Sequence, residues 1–133
     1  MKNDLRQIAT EARQRAYAPY SGFLVGAALL CKSGSVVAGC NVENISFGLT
    51  LCAERVCVGQ AIEAGDRQFE SLTIVADTTV PVVPCGACRQ VLAEFSPDLL
   101  IESWTLSGIT QEFSLADLLP ISKQGILEVP RRI

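Results

Sequence analysis

Two short cysteine motifs are the residues of this chain best suited to chemistry. Cys52-Ala53-Glu54 is followed later by Pro84-Cys85-Gly86-Ala87-Cys88. Three soft sulfurs can hold a zinc ion tetrahedrally and leave its fourth position to water, and a nearby glutamate can move that water's proton. The pattern therefore predicts a catalytic zinc site with Cys52, Cys85 and Cys88 as ligands and Glu54 as the acid/base group.

Other interpretations of these cysteines stay open at this point. A Cys-x-x-Cys pair is also typical of thioredoxin-like redox sites. A closed structural zinc site would recruit a fourth sulfur from Cys31, Cys40 or Cys57. The linked Cys-Ala-Glu favours the catalytic interpretation. Because free cysteines often behave as small buried apolar residues, we expect those three to pack in the core.

Composition narrows the class of protein. A chain of 133 residues that is 49% hydrophobic suits a single domain, residues 1–133, with one real core. The sequence contains no histidine, so proton transfer near pH 7 falls to a carboxylate. A net charge of −3 disfavours a nucleic-acid partner, because phosphate contacts usually need a basic face. We therefore expect a small-molecule substrate.

The sequence contains no pattern typical of a membrane span or an export signal. The N-terminus lacks the apolar core of a signal peptide, and the apolar run 23–31 is too short to cross a bilayer. Six cysteines could form disulfides, but their Cys-x-x-Cys spacing without an export signal favours a reducing compartment. We expect a cytoplasmic protein that does not bind membranes.

Hydrophobic spacing predicts the elements that position the motifs. In chain order these are a helix that ends before Pro19 and includes Ala16, a hairpin of strands 25–31 and 36–42, a helix from about 52 to 64, a strand at 71–76, a helix from 84 or 85 to 95, and a strand at 99–104. A short last helix, capped by Ser114, ends at Pro120. The order αββαβαβ predicts a mixed sheet whose strand at 71–76 is central and covered by helices on both faces.

Helix geometry constrains the ligands. Cys85 and Cys88 lie three apart, on one face of a first helical turn where the dipole favours thiolates. Residues two apart on a regular helix point about 200° away from each other. Cys52 must therefore be the irregular first residue of its helix for Glu54 to approach the same metal. Three thiolates around Zn²⁺ leave one net negative charge, and Arg55 and the two helix ends are the candidates for compensating it. The alternative for Arg55 is a surface ion pair, which contributes little.

Four motifs together resemble the cytidine deaminase family. They are Tyr20-Ser21-Gly22-Phe23-Leu24-Val25-Gly26-Ala27-Ala28, Gly39-Cys40-Asn41-Val42-Glu43-Asn44, Cys52-Ala53-Glu54-Arg55 and Pro84-Cys85-Gly86-Ala87-Cys88-Arg89-Gln90. The resemblance runs from about Ala16 to Pro120 and is to the small, homotetrameric, three-cysteine kind. It implies a three-layer αβα sandwich around a mixed sheet. It also implies zinc-dependent hydrolysis of cytidine and deoxycytidine to uridine and deoxyuridine with release of ammonia, in pyrimidine salvage.

The resemblance also implies substrate contacts. Asn41 and Glu43 lie two apart in an extended stretch, so they project to the same side, and the family uses such a pair on the ribose hydroxyls. Phe23 matches a residue that packs against the pyrimidine ring, and the Ala53 backbone matches a contact to the base. From the residues alone, the polar pair is equally typical of a strand end, and Phe23 of a core aromatic.

The chain departs from the family pattern at two places. Phe47 stands where the family often has a tyrosine. The tail after Pro120 lacks the phenylalanine that commonly reaches a neighbouring subunit's site, and Ile121 is the nearest apolar residue to take its place. A deaminase of a modified nucleoside such as blasticidin S, and a non-catalytic zinc-binding module, are the alternative functions.

Overall fold

The computed structural model of the chain describes residues 2–122 and residue 132. In this part the elements are, in order, α1 (Lys2–Arg13), β1 (Val25–Cys31), β2 (Val36–Cys40), a 3-10 helix (Phe47–Leu49), α2 (Ala53–Glu63), β3 (Phe69–Ala76), α3 (Gly86–Phe95), β4 (Leu100–Thr105), β5 (Thr110–Ser114) and α4 (Leu115–Leu118). Among these helices, none is long and apolar enough to cross a bilayer.

The strands of the described chain form one mixed sheet in the order β2-β1-β3-β4-β5. β3 and β4 run parallel and are joined by α3, whereas the other neighbouring strands are antiparallel. β3 lies at the centre, and residues from Leu72 to Ala76 are buried. The predicted mixed sheet, with the strand at 71–76 central, is confirmed.

Helices cover both faces of this sheet. On one face α1 packs through Leu5 and Ala9 against Ala28, Leu30 and Val75. On the other face α2 and α3 enclose the larger core, whose buried members include Ala27, Leu29, Cys57, Leu72, Ile74, Leu92 and Ile101. Alternate residues of each strand supply the two cores, because successive side chains of a strand point to opposite faces. The three-layer αβα sandwich is therefore confirmed.

The predicted order αββαβαβ is wrong at its end, because it misses β5. This strand pairs antiparallel with β4 along the sheet edge, from Thr110 opposite Trp104 to Ser114 opposite Leu100. Its first three residues are exposed and polar, so no alternation of apolar residues marks it in the sequence. Backbone pairing with a neighbour, rather than burial of its own side chains, makes this segment a strand.

Three predicted element ends also need correction. α1 ends at Arg13, so Ala16 lies beyond it, and β2 ends at Cys40 rather than at Val42. Ser114 does precede α4, but its side chain makes no capping hydrogen bond. Element ends depend on tertiary contacts that hydrophobic spacing does not contain.

Two glycines bring helices unusually close to the β1–β2 hairpin. A Cβ atom on Gly26 would lie 1.9 Å from the Ala9 carbonyl oxygen in α1. A Cβ atom on Gly39 would lie 2.6 Å from the Ala53 carbonyl oxygen in α2. The two glycines occupy neighbouring register positions on opposite faces, since Gly26 pairs with Cys40 and Ala27 pairs with Gly39. The hairpin therefore fixes the end of α1 and the beginning of α2 at the same end of the sheet.

Candidate active site

The two cysteine motifs lie at the beginnings of two neighbouring helices. Cys52 immediately precedes α2 with φ −74° and ψ 154°, and Cys85 precedes α3 with φ −64° and ψ 163°. Both backbones are extended, so neither residue follows the helical rotation of the residues after it. Cys88 is the third residue of α3 and is fully buried. The prediction that Cys52 is the irregular first residue before its helix is confirmed.

The three sulfurs are spaced for one metal ion. The Sγ atoms of Cys52 and Cys85 are 3.9 Å apart, and those of Cys85 and Cys88 are 3.4 Å apart. All three lie within 4.8 Å of one another. A tetrahedral zinc with Zn–S bonds of about 2.3 Å places its sulfurs about 3.8 Å apart. The donor set and its dimensions therefore fit zinc.

The other cysteines lie elsewhere in the described chain. The group of metal-binding side chains found there consists of Cys52, Cys85 and Cys88, with no fourth sulfur. Cys31 and Cys57 belong to the buried core between the sheet and α2, as expected. Burial is the main cause that raises the pKa of each of these two thiols. Cys40 is half buried at the end of β2. A closed four-sulfur site is therefore not formed by these residues.

Arg55 lies against the sulfur cluster. Its Nη2 atom is 3.5 Å from the Cys52 Sγ and donates to the Thr50 carbonyl oxygen at 3.0 Å. The pKa of the Cys52 thiol is lowered, first by a hydrogen bond that it accepts from Cys88 and also by Arg55 beside it, against the opposing effect of burial. The pKa of Cys88 is raised by its donation to Cys52 and by burial. The guanidinium thus supplies positive charge where thiolates must form.

Glu54 occupies the first turn of α2 with only 6% of its surface exposed. Burial raises the pKa of its carboxyl group above the ordinary value, and the nearby Cys52 adds to this effect. A buried carboxyl whose pKa is shifted towards neutrality is suited to accept and return a proton. The structure therefore places one candidate acid/base group next to three candidate metal ligands.

Asn41 and Glu43 both reach the loop of residues 20–25, which we call the Phe23 loop. The Asn41 Oδ1 atom accepts from the Val25 N–H at 2.8 Å, and its Nδ2 atom donates to the Phe23 carbonyl at 2.8 Å. The Glu43 carboxylate accepts the N–H groups of Tyr20 at 3.0 Å and Ser21 at 3.1 Å. It also accepts the Ser21 hydroxyl. These two side chains therefore shape the loop that carries Phe23.

The Phe23 loop is linked to the sulfur site through backbone pairing. Val42 and Leu51 form an antiparallel bridge with both N–H···O distances at 2.9 Å, and Leu51 directly precedes Cys52. Asn41, which bonds the loop, is followed directly by Val42. Val42 in turn pairs with Leu51, the residue before the first ligand, Cys52. Ala53, which follows Cys52, is fully buried.

The aromatic and apolar residues around this region are exposed. Phe23 is 41% exposed, so it is not the core aromatic that its sequence would also allow. Phe47 is 74% exposed, and its ring meets the edge of Tyr20 with centroids 6.3 Å apart. Ile121 is 74% exposed and has φ 54°, a left-handed conformation that a β-branched residue rarely adopts. The tail from residue 123 to 131 lies outside the described residues.

Several contributors were not singled out from the sequence. Thr50 accepts from Arg55, Ser21 donates to Glu43, and Gly39 admits the beginning of α2. Of these, Ser21 and Gly39 lie inside motifs that resemble the family, and this resemblance is the feature of the sequence that could have identified them. Arg89, in the second cysteine motif, bonds the Pro84 and Leu118 carbonyls through its guanidinium at 2.8 and 3.3 Å.

A solved structure shares this fold across almost the whole chain. The crystal structure of cytidine deaminase from Burkholderia pseudomallei matches with a TM-score of 0.88 at 45% sequence identity. The match covers 91% of this chain and 98% of that chain. The layer order and the sheet described above are therefore those of a cytidine deaminase structure.

Sequence comparison leads to the same family. The cytidine deaminase of Halalkalibacterium halodurans is 52% identical over 113 residues, which are 84% of this chain and 86% of that protein. The blasticidin-S deaminase of Bacillus cereus is more distant, at 29% identity over 128 residues and 89% of each chain. The cytidine and deoxycytidylate deaminase zinc-binding region matches residues 1–102, which contain both cysteine motifs. The chain therefore belongs to the cytidine and deoxycytidylate deaminase family.

Proposed function

We propose that this chain hydrolyses cytidine and deoxycytidine to uridine and deoxyuridine, with release of ammonia. The observation that carries the proposal is a buried Glu54 beside three sulfurs spaced for one zinc ion. Membership of the family and the 52% identity to a cytidine deaminase support it. Blasticidin S is a less favoured substrate because the relative named for it is much more distant.

Cys52, Cys85 and Cys88 would hold the zinc ion. When bound, the ion supplies a Lewis acid that makes water nucleophilic at neutral pH. The three sulfurs must lose their protons to act as ligands, and Arg55 lies where it lowers the free energy of the resulting negative charge. The extended backbones of Cys52 and Cys85 turn these two sulfurs towards each other at the helix beginnings.

Glu54 would carry the protons of the reaction. Its carboxylate takes one proton from the attacking water and gives it to ring nitrogen 3, which makes carbon 4 electrophilic. It then takes the proton of the new hydroxyl group and delivers it to the amino nitrogen, which leaves as ammonia. The atoms balance, since cytidine and one water yield uridine and one ammonia. Burial suits the carboxyl to this work because its raised pKa favours the protonated state needed for the second transfer.

Asn41 and Glu43 would contact the ribose through the hydrogen-bond donors and acceptors that their bonds to the Phe23 loop do not use. An amide offers two N–H donors and two acceptor lone pairs, and Asn41 uses one of each on the loop. A carboxylate offers about four acceptor sites, and three contacts reach Glu43 from Tyr20 and Ser21. Phe23 and the Ala53 backbone would bind the pyrimidine. The same two polar side chains would thus shape the loop and orient the sugar.

We further propose a homotetramer. Its support is a segment with an exposed apolar surface beside the site, in which Ile45 is 79% exposed, Phe47 74% and Leu49 68%. A monomer rarely leaves such a concentration of apolar side chains in water, and closed symmetry is the usual outcome for identical chains. Ile121, at 74% exposure, is the candidate to reach a neighbouring site. Light scattering that reports a monomer would contradict this assembly.

The cellular role follows from this chemistry. A nucleoside deaminase acts in pyrimidine salvage, and we propose that it works in the cytoplasm. Three ligand sulfurs must stay reduced to bind zinc, which a reducing compartment ensures. Free nucleosides rather than polynucleotides are the proposed substrates, in keeping with the net charge of −3.

Three measurements on the purified protein test the proposed function together. Ultraviolet absorbance should show cytidine converted to uridine, while metal analysis shows one zinc per chain. X-ray absorption should report three sulfurs and one lighter ligand at about the distances expected for zinc. Four sulfurs without turnover would identify a closed, non-catalytic zinc module instead.

A further inference from the structure

The backbone around Phe23 is held by side chains from two distant elements. Asn41 bonds the Phe23 carbonyl on one side and the Val25 N–H on the other, both at 2.8 Å. Between them, the Leu24 carbonyl accepts a hydrogen bond from the Arg13 Nε atom at 3.1 Å. Consecutive peptide groups on the C-terminal side of Phe23 are thus fixed from outside the loop. Arg13 is the contributor that lies farthest from both cysteine motifs in the sequence.

Close packing determines where Arg13 sits. It is the last residue of α1, and α1 approaches β1 at Gly26. A Cβ atom on Gly26 would lie 2.6 Å from the Arg13 nitrogen and 2.9 Å from the Arg13 Cβ atom. The backbone nitrogen and the Cβ atom of Arg13 are therefore packed closely against β1, the strand that follows the Phe23 loop. Its guanidinium has only to reach Leu24, two residues before that glycine.

The Arg13 side chain acts on the loop and not on the sulfur site. The α1 residues that pack on the sheet include Leu5 and Ala9, whereas Arg13 is half buried at the helix end. Within residues 2–122, the Arg13 side chain donates to the Leu24 carbonyl and makes no hydrogen bond to Glu54 or to the three ligand cysteines. Loss of this bond should therefore release the loop while leaving the core and the metal ligands in place.

We propose that Arg13 is a positioning residue for nucleoside binding: by holding the Leu24 carbonyl, it keeps Phe23 in the position from which that ring meets the pyrimidine. The proposal rests on the proposed function, because it takes Phe23 as a substrate contact. Arg13 does not itself touch the substrate. A contact that Phe23 makes equally in the ground state and the transition state changes KM and leaves kcat unchanged.

Arg13→Met is the decisive variant because it keeps an unbranched apolar side chain as far as about the Nε position and removes the donor. We expect its KM for cytidine to rise about two- to twelve-fold, the ratio that corresponds to the net loss of one typical hydrogen bond. Its kcat and its one zinc per chain should stay as in the wild type. Arg13→Lys, which retains a donor, should recover part of the affinity. Arg15→Met, at an exposed arginine two residues later, is the matched control and should not change KM.

Hydrogen exchange gives a readout that does not depend on turnover. In Arg13→Met the amides of residues 22–25 should exchange faster than in Arg15→Met, with the β3 amides unchanged. An unaltered KM in Arg13→Met overturns the proposal. A change in KM or kcat that is equally large in Arg13→Met and Arg15→Met overturns it as well. If the wild type fails to deaminate cytidine, the proposed function fails. The exchange data then still decide whether Arg13 holds the loop, so the two failures are distinguishable.

Discussion

The sulfur site and the Phe23 loop are neighbours, yet they are built in opposite ways. The sulfur site consists of two short motifs, each at the beginning of a helix. The local backbone directs the side chains within each motif, and tertiary packing brings Cys52 and Cys85, 33 residues apart, to 3.9 Å. The Phe23 loop has few internal bonds. Its partners come from α1 and from residues 41–43, up to 23 residues away along the chain. The direction of each reactive side chain is thus set within its own motif, whereas the shape of the Phe23 loop depends on side chains from other parts of the chain.

This difference separates two kinds of defect. A change at the sulfur site should alter the chemical step or the bound metal with little change in substrate affinity. A change in the supports of the loop should alter affinity with little change in the chemical step. Only a change at the hairpin residues shared by the two regions should alter both.

Glu54→Gln should produce the largest effect. The amide has nearly the shape of the carboxyl but cannot carry a proton, so we expect kcat to fall at least about 10³-fold, within the range for general acid/base catalysis. Zinc content should be unchanged because Glu54 is not one of the three clustered ligands. Kinetics and metal analysis on the same sample test this. A near-normal rate would show that Glu54 is not the acid/base group. The proton transfers would then depend on a residue outside the cysteine motifs.

Sequence spacing could predict the candidate ligands because the geometry within each motif is local. Cys85 and Cys88 share the beginning of one helix, and Cys52 had to be irregular if Glu54 was to reach the same metal. Spacing could likewise predict the central strands, since burial on both faces requires the continuous apolar run at Ser71–Ala76.

Spacing could not predict contacts between distant parts of the chain. Nothing in the residues around Arg13 indicates that its guanidinium bonds the Leu24 carbonyl. The polar edge strand β5 was missed for a related reason, since its pairing with β4 leaves no apolar pattern. The dual task of Asn41, as both a loop support and a candidate ribose contact, is visible only in its hydrogen bonds. Contacts between distant parts of the chain therefore account for most of the features that residue spacing did not predict.

Gly39→Ala should affect both regions, because Gly39 lies where β2 meets the beginning of α2. The new Cβ atom would lie 2.6 Å from the Ala53 carbonyl oxygen and 2.9 Å from the Cys57 Sγ atom, so the backbone must shift. We expect the free energy of unfolding to fall by about 1–3 kcal/mol, as for other overpacked cores. Zinc affinity and kcat should fall as well, since the displaced Ala53 lies between Cys52 and Glu54.

Gly59→Ala is the matched control for that variant. Gly59 lies exposed within the same helix α2, and a Cβ atom there meets nothing within 4 Å. Alanine in a helix interior is favoured over glycine by about 0.5–1 kcal/mol, so this variant should be slightly more stable. Urea denaturation of both variants separates steric displacement from a general effect of adding a methyl group. Equal stabilities would show that α2 does not need its close approach at Gly39.

Glu43 gives the smallest expected effect, and it depends on pH. The Ser21 hydroxyl, followed by the Ser21 and Tyr20 N–H groups, lowers the pKa of the Glu43 carboxyl below its ordinary value. A lowered pKa in the folded state means that the contribution to stability is complete above the unfolded pKa, about 4.3. It is lost as the pH falls through the lower folded value. The Tm difference between the wild type and Glu43→Gln should therefore be constant from about pH 7 to 5 and shrink below about pH 4.

A double-mutant comparison shows whether the Phe23 loop is the origin of this pH dependence. Ser21→Ala removes the hydroxyl that makes the largest contribution to the lowered pKa of Glu43. In that background, Glu43→Gln should change Tm less at pH 7, and the change should vary less with pH, because part of the coupling is already gone. The same pH profile in both backgrounds would place the effect outside the Ser21 contact. The Tyr20 and Ser21 N–H groups would then be the remaining contacts of Glu43 to the Phe23 loop, and Arg13→Met would be the more sensitive probe of how substrate is positioned.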